Sequence, residues 1–124
     1  MAQDDGPLEE SPAAQLVKLR PGELTITSER EGDVHVIALA GELDLATADQ
    51  LAQELLRVEA TDAESIIVDL ARLRFIDSTG MRVIIAADER SRQDSQRLAL
   101  LRGPDAVQRV FELTGVIDFM PFAD

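Results

Sequence analysis

The 124-residue chain has no cysteine, tryptophan or tyrosine, one histidine (His35) and one lysine (Lys18). Without cysteine it can form neither a disulfide framework nor a thiolate metal site. One histidine excludes a zinc centre built on two or three histidines of one chain. The lone lysine lies within the first twenty residues, and the seven glycines are dispersed without a Gly-x-Gly-x-x-Gly run, which removes phosphate loops of the Walker type. A nucleophile elbow of the form Gly-x-Ser-x-Gly is also missing. His35 sits inside an alternating stretch and reads as a rim or solvent-facing residue rather than as part of a catalytic triad. A receiver-type phosphorylation site needs paired acids after the first strand and a late lysine, and neither is present. Positive charge is scarce as well. Twelve Lys and Arg stand against 24 Asp and Glu, a net charge of −12. That balance argues against duplex DNA or an anionic membrane as the main partner, because phosphates are bound by clustered cations. Apolar runs are too short to cross a bilayer, and the N-terminus lacks the basic start and apolar core of a signal peptide. The expected location is therefore the cytoplasm, which the lack of cysteine also suits. No cofactor and no metal is expected.

What is present suits one small globular domain. Hydrophobic residues make up 45% of the chain and charged residues 29%. A chain of 13.6 kDa exposes roughly 6,600 Å² when folded against about 20,000 Å² unfolded, enough burial for one core. Residues 1–20, with Asp4, Asp5, Glu9, Glu10, Gly6, Pro7 and Pro12, show no sustained periodicity and read as a flexible acidic arm. A short helical turn over Ala13 to Lys18 is the one local signal there. The domain is expected over 21–124. Most of the negative excess belongs to it, since the arm holds four acids and two bases.

From Leu24 the periodicities sharpen. Leu24-Thr-Ile-Thr27 alternates as a strand, Glu31-Gly32-Asp33 turns, and residues 34–40 alternate again, together a hairpin. Thr47-Ala-Asp-Gln50 fits a capping box at the start of a helix over Ala48 to Glu59, with Ala48, Leu51, Leu55 and Val58 at helical spacing. Ser65-Ile-Ile-Val-Asp-Leu70 is a nearly continuous apolar run, as in a central strand covered on both faces. A second helix follows Ser78, with Met81, Ile84, Ile85 and Asp88 on one side. Arg97 to Leu101 is another strand. Gly103-Pro104 opens a third helix, Pro at its first position, and Gly115 is placed to end it with Val116 in the accompanying contact. Ile117 to Phe122 reads as a last short strand. The order β-β-α-β-α-β-α-β predicts an α/β domain with a mixed sheet of four to five strands and helices mainly on one side.

One segment carries candidate chemistry: Phe75-Ile76-Asp77-Ser78-Thr79-Gly80-Met81. An apolar stretch ends in Asp77, and Ser78 precedes an amphipathic helix. Ser78 can be a plain N-cap, worth about 1 kcal/mol. It can equally be a modifiable serine, since a phosphate at a helix N-terminus is tolerated and adds about −1.5 to −2 charges beside Asp77. Thr79 and Gly80 keep the neighbourhood small enough for close approach by another molecule.

Three stretches in order, Gly41-Glu42-Leu43-Asp44, Asp77-Ser78-Thr79-Gly80-Met81 and Pro104-x-x-Val107-x-x-Val110-Phe111-x-x-Thr114-Gly115, resemble the STAS domain of bacterial anti-sigma factor antagonists, over about Leu24 to Phe122. The resemblance implies a STAS-type fold and a binding protein rather than an enzyme. It implies that the chain binds an anti-sigma factor that is also a serine kinase, with ATP held by that partner, and so frees a sigma factor. It further implies that Ser78 is the phosphoacceptor, that its phosphorylation weakens binding, and that a PP2C-type phosphatase restores it. Asp44, Asp77, Thr79, Gly80 and Met81 would flank the acceptor and contribute to docking. Thr79 stands where a second serine is frequent, so it is a minor candidate acceptor. Two other readings remain: a STAS scaffold in a larger signalling or transport-associated complex without a phosphorylation cycle, and a small enzyme using a carboxylate pair.

Overall fold

The computed structural model describes residues 23–123. The arm over 1–20, the start of the domain at 21 and the helical turn over 13–18 therefore lie outside the described residues, wholly or in part. The chain runs β1 (Leu24–Glu31), β2 (Val34–Leu43), α1 (Ala48–Glu59), β3 (Ser65–Ile76), α2 (Ser78–Gln93), β4 (Leu98–Leu101) and α3 (Asp105–Leu113). Among the described residues the strands form one sheet in the order β1-β2-β3-β4. β1 and β2 are antiparallel, closed by the Gly32-Asp33 turn, while β2, β3 and β4 run parallel. Parallel neighbours need crossovers, which α1 and α2 supply. The expected mixed α/β sheet with helices mainly on one side is the architecture found.

The core lies between one sheet face and the helices. His35, Ile37 and Leu39 of β2, Ile66, Val68 and Leu70 of β3 and Leu98 and Leu100 of β4 all point there. Leu51, Leu55 and Val58 of α1, Met81, Ile84 and Ala87 of α2, and Val107 and Phe111 of α3 close over them. The alternate side chains of the first half of β3, Ser65, Ile67 and Asp69, are only half-buried. The run 65–70 is thus central but covered on one face, because all three helices add their apolar stripes to the same core. Its later half is irregular. The pairing with β2 shifts register between Ala38 and Ala40 and again between Gly41 and Glu42. These bulges let Leu70, Leu73 and Ile76, three residues apart, all reach the core.

Several local expectations are corrected. His35 is buried, 6% exposed, because its place in the alternation puts it on the helix-covered face with Ile37 and Leu39. Its Nε2 lies 2.7 Å from Ser28 Oγ, and its Nδ1 has no partner among the described residues. The capping box does not form. The Thr47 hydroxyl donates to the Glu42 carbonyl (2.8 Å) and accepts from the Asp44 N–H (3.0 Å), while the Gln50 amide donates to the Leu24 carbonyl (3.0 Å). Pro104 is the N-cap of α3 rather than its first residue. The last strand is instead a 3-10 turn over Ile117–Phe119 and a single bridge between Leu100 and Phe122, since Pro121 has no N–H to extend a ladder. The Phe122 ring meets Phe111 edge-on at 5.1 Å. Gly115 ends α3 as expected, its N–H on the Glu112 carbonyl and that of Val116 on the Phe111 carbonyl.

Charged side chains tie the helices to one another and to the loops. Arg97 closes the end of α1 by donating to the carbonyls of Glu59, Thr61 and Ala63. Arg90 of α2 grips Glu59 of α1 with two bonds of 2.7 and 2.9 Å. On α1 the Arg57 guanidinium bonds both oxygens of Glu54 and holds its carboxyl at about 2, below the ordinary 4.5. Between those values the unfolded chain binds a proton that the folded chain does not, so acid favours unfolding. Urea midpoints measured from pH 4.5 down to 2 should fall, and Glu54→Gln should make that fall shallower. Phe111→Ala, which empties a fully buried site, should cost about 3–5 kcal/mol in the same assay.

Candidate functional site

The parallel strands deliver two loops to the same edge of the sheet. β2 ends at Leu43 and β3 at Ile76, paired to each other. Residues 44–47 follow the first and Asp77-Ser78 the second. The Asp77 N–H donates to the Leu43 carbonyl (3.1 Å), which carries the pairing one residue past β3.

Asp77, not Ser78, caps α2. Its backbone is extended, and its Oδ1 accepts the Gly80 N–H at 2.9 Å. Its Oδ2 accepts the Leu45 N–H at 3.1 Å. One carboxylate therefore satisfies a free donor of the helix and fixes the neighbouring loop. Ser78 becomes the first residue of α2 and is exposed, and its hydroxyl makes no hydrogen bond among the described residues. Thr79 beside it is partly exposed. This reverses the N-cap reading of Ser78: the capping energy resides in Asp77.

Asp44 is 2% exposed. Its Oδ1 accepts the N–H groups of Ala46 (2.9 Å) and Thr47 (3.2 Å), and its carbonyl accepts those of Thr47 and Ala48. It builds the 44–47 turn from inside. Gly80 is buried, and a Cβ there would stand 2.5 Å from Leu43 Cγ and 2.8 Å from the Leu43 carbonyl oxygen. The close approach that Gly80 permits is thus that of this chain's own β2. Met81 is 3% exposed and belongs to the core. Of the six residues singled out in the sequence, Ser78 and Thr79 face outward, Asp77 bridges, and Asp44, Gly80 and Met81 lie beneath.

Sequence reasoning missed three outward residues at this edge. Leu45 is 78% exposed although its backbone is held by Asp77, and Phe75, which precedes the site on β3, is 48% exposed. Arg82, one turn along α2 from Ser78, is also exposed. The available signal was Leu45 itself, a large apolar residue in a tight polar turn. Among the described residues no group of His, Asp and Glu could hold a metal ion, and no helix is long and apolar enough to cross a membrane.

Since Asp77 serves helix and loop together, Asp77→Ala should cost about 1–2 kcal/mol and speed hydrogen exchange at the Leu45 and Gly80 amides. Ser78→Ala should stay within about 0.5 kcal/mol of the parent in the same urea titration, as an exposed residue without a capping bond. Gly80→Ala should lose about 1–3 kcal/mol through overpacking against Leu43.

Comparison with known proteins gives a consistent picture. The profile of the STAS domain matches residues 25–124. The anti-sigma-B factor antagonist of Listeria monocytogenes is 33% identical over 92 residues, 74% of this chain and 81% of that one. An anti-sigma factor antagonist from Mycobacterium paratuberculosis superposes with a TM-score of 0.74 at 26% identity, covering 83% of this chain and 87% of the other. SpoIIAA, an anti-sigma factor antagonist solved in its unphosphorylated form, gives a TM-score of 0.67 at 25% identity over 81% of this chain and 89% of its own.

Proposed function

Because the chain belongs to the STAS-domain family of anti-sigma factor antagonists, we propose that it binds an anti-sigma factor that is also a serine kinase, and that phosphorylation of Ser78 switches the binding off. The observation that carries this reading is the exposed Ser78 hydroxyl, unengaged among the described residues, at the first position of α2, where Asp77 has relieved it of any structural duty. The partner holds ATP. Its γ-phosphoryl group passes to Ser78 Oγ, the hydroxyl proton leaves to a base of the partner, and ADP departs. A PP2C-type phosphatase returns the serine by hydrolysis. The chain itself acts as a binding protein and not as a catalyst, and the exchange takes place in the cytoplasm.

The docking surface is the edge formed by Leu45, Ala46, Ser78, Thr79 and Arg82, shaped from below by Asp44, Gly80 and Met81. Thr79 is the minor acceptor. A phosphate on Ser78 adds about −1.5 to −2 charges next to the fixed Asp77 carboxylate. The first-turn N–H groups and the helix dipole tolerate that charge, so α2 stays folded while an apposed partner surface is repelled.

Incubation with the kinase that co-purifies with the chain, followed by mass spectrometry, should place one phosphate on Ser78. Ser78→Ala should bind and resist modification. Ser78→Asp should keep its circular dichroism and lose at least about tenfold in affinity, a change of 1.4 kcal/mol. A stable complex that contains no kinase and leaves Ser78 unmodified would instead support a scaffold without a phosphorylation cycle.

A further inference from the structure

Three arginines belong to α2. Arg92 pairs with Asp88, four residues before it, and Arg90 pairs with Glu59 of α1. Arg82 is exposed and makes no ion pair or hydrogen bond among the described residues, although the chain holds 24 acids against 12 bases. Local sequence supplies the reason. On a helix surface the neighbours of a residue stand three and four positions away. For Arg82 these are Ser78, Thr79, Ile85 and Ala86, none of them acidic. The groove that Arg82 lines between α1 and α2 adds no carboxylate: its other residues are Ala52, Leu56, Thr79, Val83, Ala86 and Arg90. The nearby Asp77 carboxylate has both oxygens engaged by the Gly80 and Leu45 amides.

The direction of the side chain narrows the choice further. Helical side chains tilt toward the N-terminus, so the stem of Arg82 leans over the turn that holds Ser78 and Thr79. The places where an acid would meet this guanidinium are therefore occupied by the two candidate acceptor hydroxyls. The same helix shows what an acid at that spacing does. Asp88 and Arg92 have the separation of Ser78 and Arg82, in the same order along the chain, and their side chains form an ion pair. Acid before base at four residues is also the more favourable order.

We propose that Arg82 is the intramolecular partner of a phosphate on Ser78, taking it into an i,i+4 ion pair built like that of Asp88 and Arg92. The proposal rests on Ser78 being the acceptor. The mark then changes this edge in two ways. It adds negative charge, and it draws a guanidinium that was open to a partner back onto the chain's own helix.

The test needs no kinase. Phosphoserine is installed at position 78 during translation of the full chain, and the second ionisation of the phosphate is followed by ³¹P NMR. The parent is compared with Arg82→Gln and with Arg109→Gln, which removes the same charge from α3. Arg109 is also exposed and unpaired among the described residues. An ion pair favours the dianion. The titration midpoint, about 6 for an ordinary phosphoserine, should therefore lie about 0.3 higher in Arg82→Gln than in the parent and stay in place in Arg109→Gln. A midpoint unmoved by Arg82→Gln, or raised equally by both changes, would overturn the proposal. Because translation places the phosphate, these midpoints do not depend on whether a kinase marks Ser78, which the mass spectrometry described above decides separately.

Discussion

The Asp77 carboxylate is the point on which this edge of the molecule turns. One oxygen closes the first turn of α2, and the other holds the backbone of Leu45, 32 residues earlier in the chain. A capping bond normally serves its own helix alone. Here it also couples two loops that follow different strands, so the positions of Leu45 and Ser78 are set by the same group. Around it the bonding is dense. Asp44 organises the 44–47 turn, Thr47 returns to Glu42, and the Leu43 carbonyl receives the Asp77 N–H. Gly80 lets the helix start against Leu43 without a side chain between them. The outward hydroxyl of Ser78 sits on this framework without taking part in it.

The sequence made most of the architecture legible, for identifiable reasons. The helix over Ala48 to Glu59 matches its expected bounds because Leu51, Leu55 and Val58 have no competing period. The α3 terminus was legible because Gly115 and Val116 form a local motif whose bonds lie within six residues. What failed was decided at a distance. Asp77 and Ser78 are both good caps, and the Leu45 N–H, invisible in local sequence, anchors the aspartate there. His35 was legible as part of an alternating strand, but which face is buried depends on where three helices land. The spacing of Leu70, Leu73 and Ile76 is uninformative alone, since it follows from slips in pairing with β2. Near the C-terminus, apolar content suggested a strand, while Pro121 limited the pairing to one bridge.

The candidate site was readable in a similar, uneven way. Composition argued against a Walker-type phosphate loop and against thiolate or multi-histidine metal sites, and the Asp77-Ser78-Thr79 segment lies where the 44–47 turn also arrives. The division of labour within it was not readable. Asp44, Gly80 and Met81 are buried, so any influence they have on a partner passes through the shape they impose. Leu45 escaped notice because exposed apolar residues are common on protein surfaces; what sets it apart is that its backbone N–H is held by the carboxylate of Asp77, the residue before Ser78.

If Ser78 is the acceptor, as proposed, its separation from the cap at Asp77 also bears on time. Were Ser78 the cap, altering it would require the first turn of α2 to reorganise, and a response would wait on local unfolding. With Asp77 holding the helix, a covalent mark at position 78 sits on a body that is already in its final shape. On the switch proposed above, the delay between marking and release would then be set by how fast a partner dissociates, and resetting by how fast the mark is removed.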